Sequence, residues 1–344
     1  MSGRGIEVGG SVVRSALIAA GVALALLLPA SATAKIVTHE RDRGDGPQRV
    51  TAAQIERAEP RDVLRLPSAG AAAAQAAPAP DGPPRYIDGR PPAAGTAALS
   101  AAARPGATAS GFRNFTSRKV ADQTAYPNST NGKVFGKIPG LGSYTCSASV
   151  VHAKNRSVLF TAGHCVKEPG RGGWTKKLVF IPSYDRGSRP FGRWTWDAIF
   201  LKRAWAKRGN PNFDYAAITM RRSKGRTVER TVGSLGFAFN VPSRRQTYRA
   251  VGYPFNKFDT EVMWECISTY GGGDPLYRKP GPRPVGIGCD MLGGASGGGW
   301  AIAENRLASV TSFGFSDRPN QLYGPRLTKK ANKLRLRAGR RKVG

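Results

Sequence analysis

Gly288–Cys289–Asp290–Met291–Leu292–Gly293–Gly294–Ala295–Ser296–Gly297–Gly298–Gly299–Trp300 sets one serine inside a turn dense in glycine. Glycine takes positive φ and lets a second backbone come close. A serine that attacks a carbonyl needs such a turn, because backbone N–H groups beside it must point at the developing oxyanion. Taken alone, the stretch also reads as a flexible glycine loop. Two further stretches decide between these readings.

Leu159–Phe160–Thr161–Ala162–Gly163–His164–Cys165 ends an apolar strand in a small-residue turn that presents a histidine beside a cysteine. Asn212–Phe213–Asp214–Tyr215–Ala216–Ala217–Ile218 opens a strand on an aspartate, with Ala216 and Ile218 on one face. The order along the chain is His164, Asp214, Ser296. Gly294–Ala295–Ser296–Gly297–Gly298 also fits G-x-S-x-G, the nucleophile elbow of the α/β-hydrolases, whose histidine follows the serine. His39, His152 and His164 all precede Ser296, so that reading fails. His152 falls in mid-strand and reads as a packing residue, and His39 lies in the N-terminal region. Asp197 in Trp196–Asp197–Ala198–Ile199 imitates Asp214, which is preferred because the run Tyr215–Met220 follows it directly.

From about Val120 short β-prone runs recur, separated by Gly, Pro and Asn: Lys133–Ile138, Ser147–His152, Ser157–Thr161, Leu178–Ile181, Tyr215–Met220, Thr247–Gly252, Val262–Ser268 and Arg306–Phe313. Such spacing predicts an antiparallel sandwich or barrel. The four cysteines, Cys146, Cys165, Cys266 and Cys289, allow three disulfide pairings in an exported protein.

The T-A-G-H-C turn, the D-Y-A-A-I strand and the G-G-A-S-G-G turn together resemble the trypsin-like serine proteases of the chymotrypsin fold. Within them, the chain is most similar to the secreted bacterial branch that includes the glutamyl endopeptidases. The resemblance covers residues from about 120 to 330, and the His–Asp–Ser order is that of the fold. It implies an all-β protein of two packed antiparallel β-barrels with the active site in the cleft between them. It implies that Ser296 attacks the scissile carbonyl, that His164 moves the proton, and that Asp214 holds the imidazole. The N–H groups of Gly294 and Ser296 would form the oxyanion hole. Cys146 would pair with Cys165 in a histidine-loop disulfide worth about 3 kcal/mol, leaving Cys266 with Cys289. Ser312–Phe313–Gly314 resembles the strand on which substrate pairs. Asp290, six residues before Ser296, stands where trypsins keep a pocket carboxylate for Arg or Lys; it reads equally as a brace of the cysteine turn. Two positions depart from the family. Ala295 replaces the aspartate that binds the new N-terminus in activated animal trypsins, and Gly299 stands where proline is usual. Glutamyl specificity is not expected, since no histidine lies in the C-terminal half.

The N-terminus reads as a signal peptide over residues 1–34. Arg4 and Arg14 precede an apolar run from Ala16 to Leu28, and Ala32–Thr33–Ala34 offers a cleavage site. The run is short of the roughly 20 residues that span a bilayer, so no transmembrane anchor is expected. Residues 35–119 are rich in Ala and Pro and poor in large apolar residues, which reads as a propeptide or a disordered linker, with Arg118–Lys119 as a dibasic processing point. Residues 49–66 include a short helical pattern. The protease domain is expected over 120–330. In Arg326–Gly344 nine of nineteen residues are basic, and Leu327, Ala331 and Leu334 suggest a helix before a basic tail, placed at 331–344.

Between Val120 and Gly344 stand 38 Lys and Arg against 13 Asp and Glu, a net of +25. That charge suits anionic surfaces, and export makes cell-envelope polymers a better partner than nucleic acid. No cofactor and no metal site are expected, because the usual zinc ligand set is missing once the cysteines are paired. The expected protein is a secreted, monomeric serine endopeptidase acting on protein or peptide. The alternative from another class is a catalytically inactive protease-fold protein that binds anionic polymers.

Overall fold

The computed structural model describes residues 1, 3, 36–42, 51–62, 64–66, 81–93, 111–169, 173–276, 279–303 and 305–344. The chain divides into two units, Met1–Thr33 and Ala34–Gly344. Of the first, only Met1 and Gly3 are described, so the expected signal peptide lies outside the described residues. Among the described residues no helix is long and apolar enough to cross a membrane.

Five short strands come first in the second unit: β1 (Ile36–Glu40), β2 (Glu59–Pro60), β3 (Leu64–Leu66), β4 (Arg85–Ile87) and β5 (Phe115–Lys119), with α1 (Ala52–Glu56) between β1 and β2. Six longer strands follow: β6 (Asn131–Ile138), β7 (Gly142–Val151), β8 (Val158–Thr161), β9 (Lys177–Pro182), β10 (Trp194–Lys202) and β11 (Ala216–Met220). They pair antiparallel in the order β10–β11–β8–β7–β6–β9, and β9 returns to β10 through Phe180↔Trp194 and Val179↔Thr195. The sheet therefore closes into a six-stranded barrel, which removes its free edges. Its interior is filled by Val134, Val150, Leu159, Ile199 and Ile218, all fully buried, while Phe160 points the other way and meets Phe237 of the second sheet.

A second sheet takes β12 (Gly236–Phe239), β13 (Thr247–Gly252), β14 (Trp264–Gly273), β15 (Val285–Gly288), β16 (Gly299–Ile302), β17 (Arg306–Val310), β18 (Phe313–Phe315) and β19 (Arg318–Gly324) in the order β18–β19–β15–β14–β13–β16–β17–β12. Tyr248, Ala250, Ile287 and Trp300 form its core. Phe135, Val179, Ile181 and Tyr184 of the first barrel pack with Val251, Tyr253 and Met263 of the second. This is the all-β two-barrel fold that the resemblance implies.

The eight runs read from the sequence all carry strands, and among β6–β19 five strands had no such run. β12 and β16 are four residues long, β15 is Val-Gly-Ile-Gly, and β19 is polar over its first half. In β10 the pairing slips between Trp196 and Ala198, so a bulge at Asp197 breaks the alternation that marks a strand. The run Arg306–Phe313 divides into β17 and β18 at Thr311–Ser312, a break that matters at the site.

The last element is α2 (Lys329–Gly339), where Thr328 caps the first turn by accepting from the Lys330 N–H. Ala331, Leu334 and Ala338 are buried, and the helix packs on β10 and β11. Position 331, expected to open a basic tail, lies inside this helix. Leu334→Ala should cost about 2–5 kcal/mol, the usual range for a fully buried leucine. A lower urea midpoint at an unchanged slope would register it.

The region 35–119 reads as poor in core-forming residues, yet its described parts join both sheets. β1 pairs with β10, β4 with β12 and β5 with β14, all antiparallel; β2 pairs with β7 and β3 with β18, both parallel. Strand addition draws on main-chain hydrogen bonds and needs no large side chains. The helical pattern within 49–66 is confined to α1.

Candidate active site

His164 sits in the turn after β8. A Cβ on Gly163 would stand 2.6 Å from the Trp205 ring and 2.8 Å from the Asp214 carboxylate, so only glycine lets that turn approach. Asp214 follows a single 3-10 turn, Pro211–Phe213, and leads into β11. Its Oδ1 accepts from the His164 backbone N–H at 2.8 Å, and its Oδ2 lies 2.8 Å from His164 Nδ1. Ser312 Oγ donates to the same Oδ2 at 2.6 Å. A carboxylate held by three donors keeps the proton of the neutral imidazole on Nδ1 and leaves Nε2 as an acceptor. Nε2 is buried and has no hydrogen-bond partner among the described residues.

Ser296 lies in the second barrel. Gly294 has φ 86°, in the left-handed region that favours glycine, and a Cβ there would collide with the Tyr253 carbonyl. The turn is held from both sides. Gly297 N–H donates to Thr311 O at 2.8 Å, Ser147 N–H donates to Ser296 O at 2.7 Å, and Ser147 Oγ donates to Gly294 O at 2.9 Å. The last two come from β7, so the first barrel braces the serine of the second. The disulfides are Cys146–Cys165, which ties β7 to the residue after His164, and Cys266–Cys289, which ties β14 to the serine turn. Tyr144 OH donates to the Cys165 carbonyl, and burial pushes that hydroxyl up to about 12, so it stays a neutral donor.

The cleft is filled by the chain's own N-terminal region. Gly294 N–H donates to Arg61 O at 2.8 Å, and Ser296 Oγ donates to Asp62 O at 3.3 Å. Arg61 reaches Glu168 at 2.5 Å and His164 O at 3.2 Å. Ser296, His164 and Asp214 are each 0% exposed.

The remaining candidates fall as follows. The Asp290 carboxylate is engaged: Lys257 Nζ lies 2.8 Å from Oδ2 and Ser117 Oγ donates to Oδ1 at 2.5 Å. Phe313 is buried and stacks on Tyr323 at 5.3 Å between centroids, while Gly314 pairs with β3. Asp197 is bound by Arg341 instead of a histidine, and His152 meets Glu229 at 2.9 Å. His39 stacks between Trp174 and Trp196. Among the described residues two clusters have the spacing of metal ligands, Cys146–His164–Cys165 and Cys266–Cys289–Asp290. Both cysteines of each are in a disulfide, which offers no thiolate to a metal. Sequence reading did not single out Arg61, Asp62, Glu168, Lys257 or Ser117, and it gave Ser312 to substrate without its bond to Asp214. No local pattern marks any of them; only long-range packing brings them to the site.

No protein-family model matches this chain. Two curated bacterial proteins are similar in sequence. The "Extracellular metalloprotease" of Bacillus subtilis is 27% identical over 176 residues, 47% of this chain and 55% of that protein. The "Glutamyl endopeptidase" of Bacillus licheniformis is 26% identical over 220 residues, 59% of this chain and 66% of that protein. The chain thus spans between half and two thirds of the curated relatives it matches. Among solved structures, the thermostable serine protease AL20 from an extremophilic microorganism is 33% identical with a TM-score of 0.57, covering 61% of this chain and 97% of that one. Identity at that level over nearly a whole protease reaches beyond a shared fold, and it agrees with the two barrels and the turns at their junction: this chain belongs to the trypsin-like serine proteases of the chymotrypsin fold.

Proposed function

We propose that the protein is a secreted serine endopeptidase that cleaves peptide bonds through His164, Asp214 and Ser296 by way of an acyl-enzyme. The observation that carries this reading is the Asp214–His164 pair, fixed through both carboxylate oxygens, with Nε2 without a partner among the described residues in the cleft that holds Ser296. Ser296 Oγ attacks the scissile carbonyl as His164 Nε2 takes its proton. The N–H groups of Gly294 and Ser296 receive the oxyanion, and His164 then returns the proton to the leaving amine. Water repeats the cycle on the acyl-enzyme. Labelling by a fluorophosphonate, which reacts with activated serines, tests the assignment: the processed protein should be labelled at Ser296 and at no other residue.

The partners of Asp290 support its role as a brace rather than a pocket charge. Lys257 already neutralises the carboxylate, and Ser117 takes its other oxygen, so a substrate Arg would have to displace both. Asp290→Ser is expected to cost about 1–3 kcal/mol of stability from unpaired partners and to lower turnover of all substrates alike. A peptide library varied at the residue before the cleaved bond reads this. Strong wild-type preference for Arg or Lys that the variant loses would restore the trypsin-type pocket.

One observation favours the second reading, of binding to anionic polymers. A cavity of 280 Å³ is lined by Lys154, Arg156, Arg222, Arg230, Arg341 and Lys342. Concentrated positive charge of this kind attracts polyanions with a strong dependence on salt.

A further inference from the structure

The segment that fills the cleft also has a direction. β2 runs parallel to β7, with Glu59 opposite Tyr144 and Pro60 opposite Thr145. Arg61 N–H donates to Thr145 O at 2.9 Å. The chain then crosses the serine turn, with Arg61 O on the Gly294 N–H and Asp62 O on Ser296 Oγ. Beyond it, Leu64 N–H donates to Ser312 O at 3.2 Å, and β3 runs parallel to β18 from Phe313 to Phe315. The N-terminal half therefore lies on the His164 barrel and the C-terminal half on the Ser296 barrel.

A peptide being cleaved must lie the other way. Ser296 keeps the acyl half, which carries the N-terminal side of the substrate, and His164 protonates the leaving amine, which begins the C-terminal side. The acyl half belongs with the pocket strand at Ser312–Gly314, and the leaving half with the histidine loop and Thr145. Residues 59–62 and 64–66 make main-chain bonds at both places with their polarity inverted.

Inversion also misplaces the reacting groups. Attack needs one carbonyl whose carbon faces Oγ while its own oxygen sits in the oxyanion hole. Here two successive carbonyls share the task. The Arg61 oxygen takes the Gly294 N–H, and the Asp62 oxygen, not its carbon, accepts from Oγ. The hydroxyl proton that His164 would remove is committed to that carbonyl. Arg61 anchors the arrangement through its ion pair with Glu168 and its bond to His164 O, with its guanidinium 5.9 Å from the Tyr144 ring centroid. Packing is close on the other face too: a Cβ on Gly293 would lie 3.0 Å from Asp62 Oδ1.

We propose that the segment made of residues 59–62 and 64–66 is a built-in inhibitor that occupies the active-site cleft in reverse chain direction, anchored by Arg61 on Glu168, and that the enzyme does not cut it while it lies there. The proposal rests on the serine endopeptidase reading. It makes activation a matter of releasing this strap, and it makes Glu168 the acid that holds an arginine on the leaving-group side of the cleft.

The test is the rate at which a fluorophosphonate labels Ser296 in the full chain. Arg61→Ala removes the anchor, Leu64→Pro removes the N–H given to Ser312 O, and Glu168→Gln breaks the same ion pair from outside the strap. Each is expected to speed labelling about 10- to 100-fold, the range for losing a charge-assisted or buried hydrogen bond. Mass spectrometry of the incubated full chain should find the bonds on both sides of Asp62 intact. Rates equal to wild type in all three variants would overturn the strap. Cleavage beside Asp62 at a rate independent of protein concentration would overturn the inverted direction. Absence of labelling in every variant and in the processed protein from the medium would sink the serine reading itself. Labelling of the processed protein, with a full chain that reacts just as fast, would sink only the inhibitor.

Discussion

Ser296→Ala in the processed protein is expected to abolish fluorophosphonate labelling and to lower kcat about 10⁶-fold, the scale on which removal of a triad nucleophile acts. The residual rate would come from the oxyanion N–H groups and from substrate binding, neither of which the substitution removes. His164→Ala should be about as damaging, and the double variant hardly worse than either, because nucleophile and base act as one unit. The loss should appear in kcat with KM little changed. Stability should hardly move, since one Oγ is deleted and, among the described residues, it donates to the Asp62 carbonyl of the N-terminal segment. Equal labelling of Ser296→Ala and wild type would mean that another residue is the nucleophile.

Asp214→Asn is expected to lower kcat about 10⁴-fold while the protein stays folded. Both carboxylate oxygens face donors: Oδ1 takes the His164 main-chain N–H, and Oδ2 takes Nδ1–H together with the Ser312 hydroxyl. An amide carries only one oxygen. With its NH2 toward the main-chain N–H, a donor faces a donor. With its NH2 toward the ring, the imidazole must move its proton to Nε2, and the base is lost. The ring also loses the negative charge that stabilises the imidazolium during turnover. Single-turnover kinetics on the processed variant would measure the effect. Near-normal turnover would show that Asp214 orients nothing essential and would reopen the choice between it and Asp197.

How much of this was legible in the chain differs from part to part. The three turns that carry His164, Asp214 and Ser296 were readable because each needs unusual residues locally. Gly163 clears the way for Trp205 and Asp214, and Gly294 takes a positive φ. The all-β class was readable from recurrent short apolar runs, and α2 from the spacing of Leu327, Ala331 and Leu334. β10, β12, β15, β16 and β19 were not, since a bulge, paired glycines, short length and polar residues each erase the alternation on which strand reading depends.

By itself, then, the sequence determined the order of the catalytic candidates, the even set of four cysteines and the strands whose side chains alternate. Those features depend on residues within a few positions of one another. Tertiary structure alone decided that Ser312 braces Asp214, that Lys257 and Ser117 occupy Asp290, and that β2 and β3 run parallel to β7 and β18 on either side of Ser296. Ser312 lies 98 residues from Asp214, and Asp62 lies 234 from Ser296. Strap contacts to Thr145, Gly294 and Ser312 use main-chain donors and acceptors. Every non-proline residue carries that pair of groups, so which ones meet leaves no mark on residue type and is settled by how the two barrels bring their edges together.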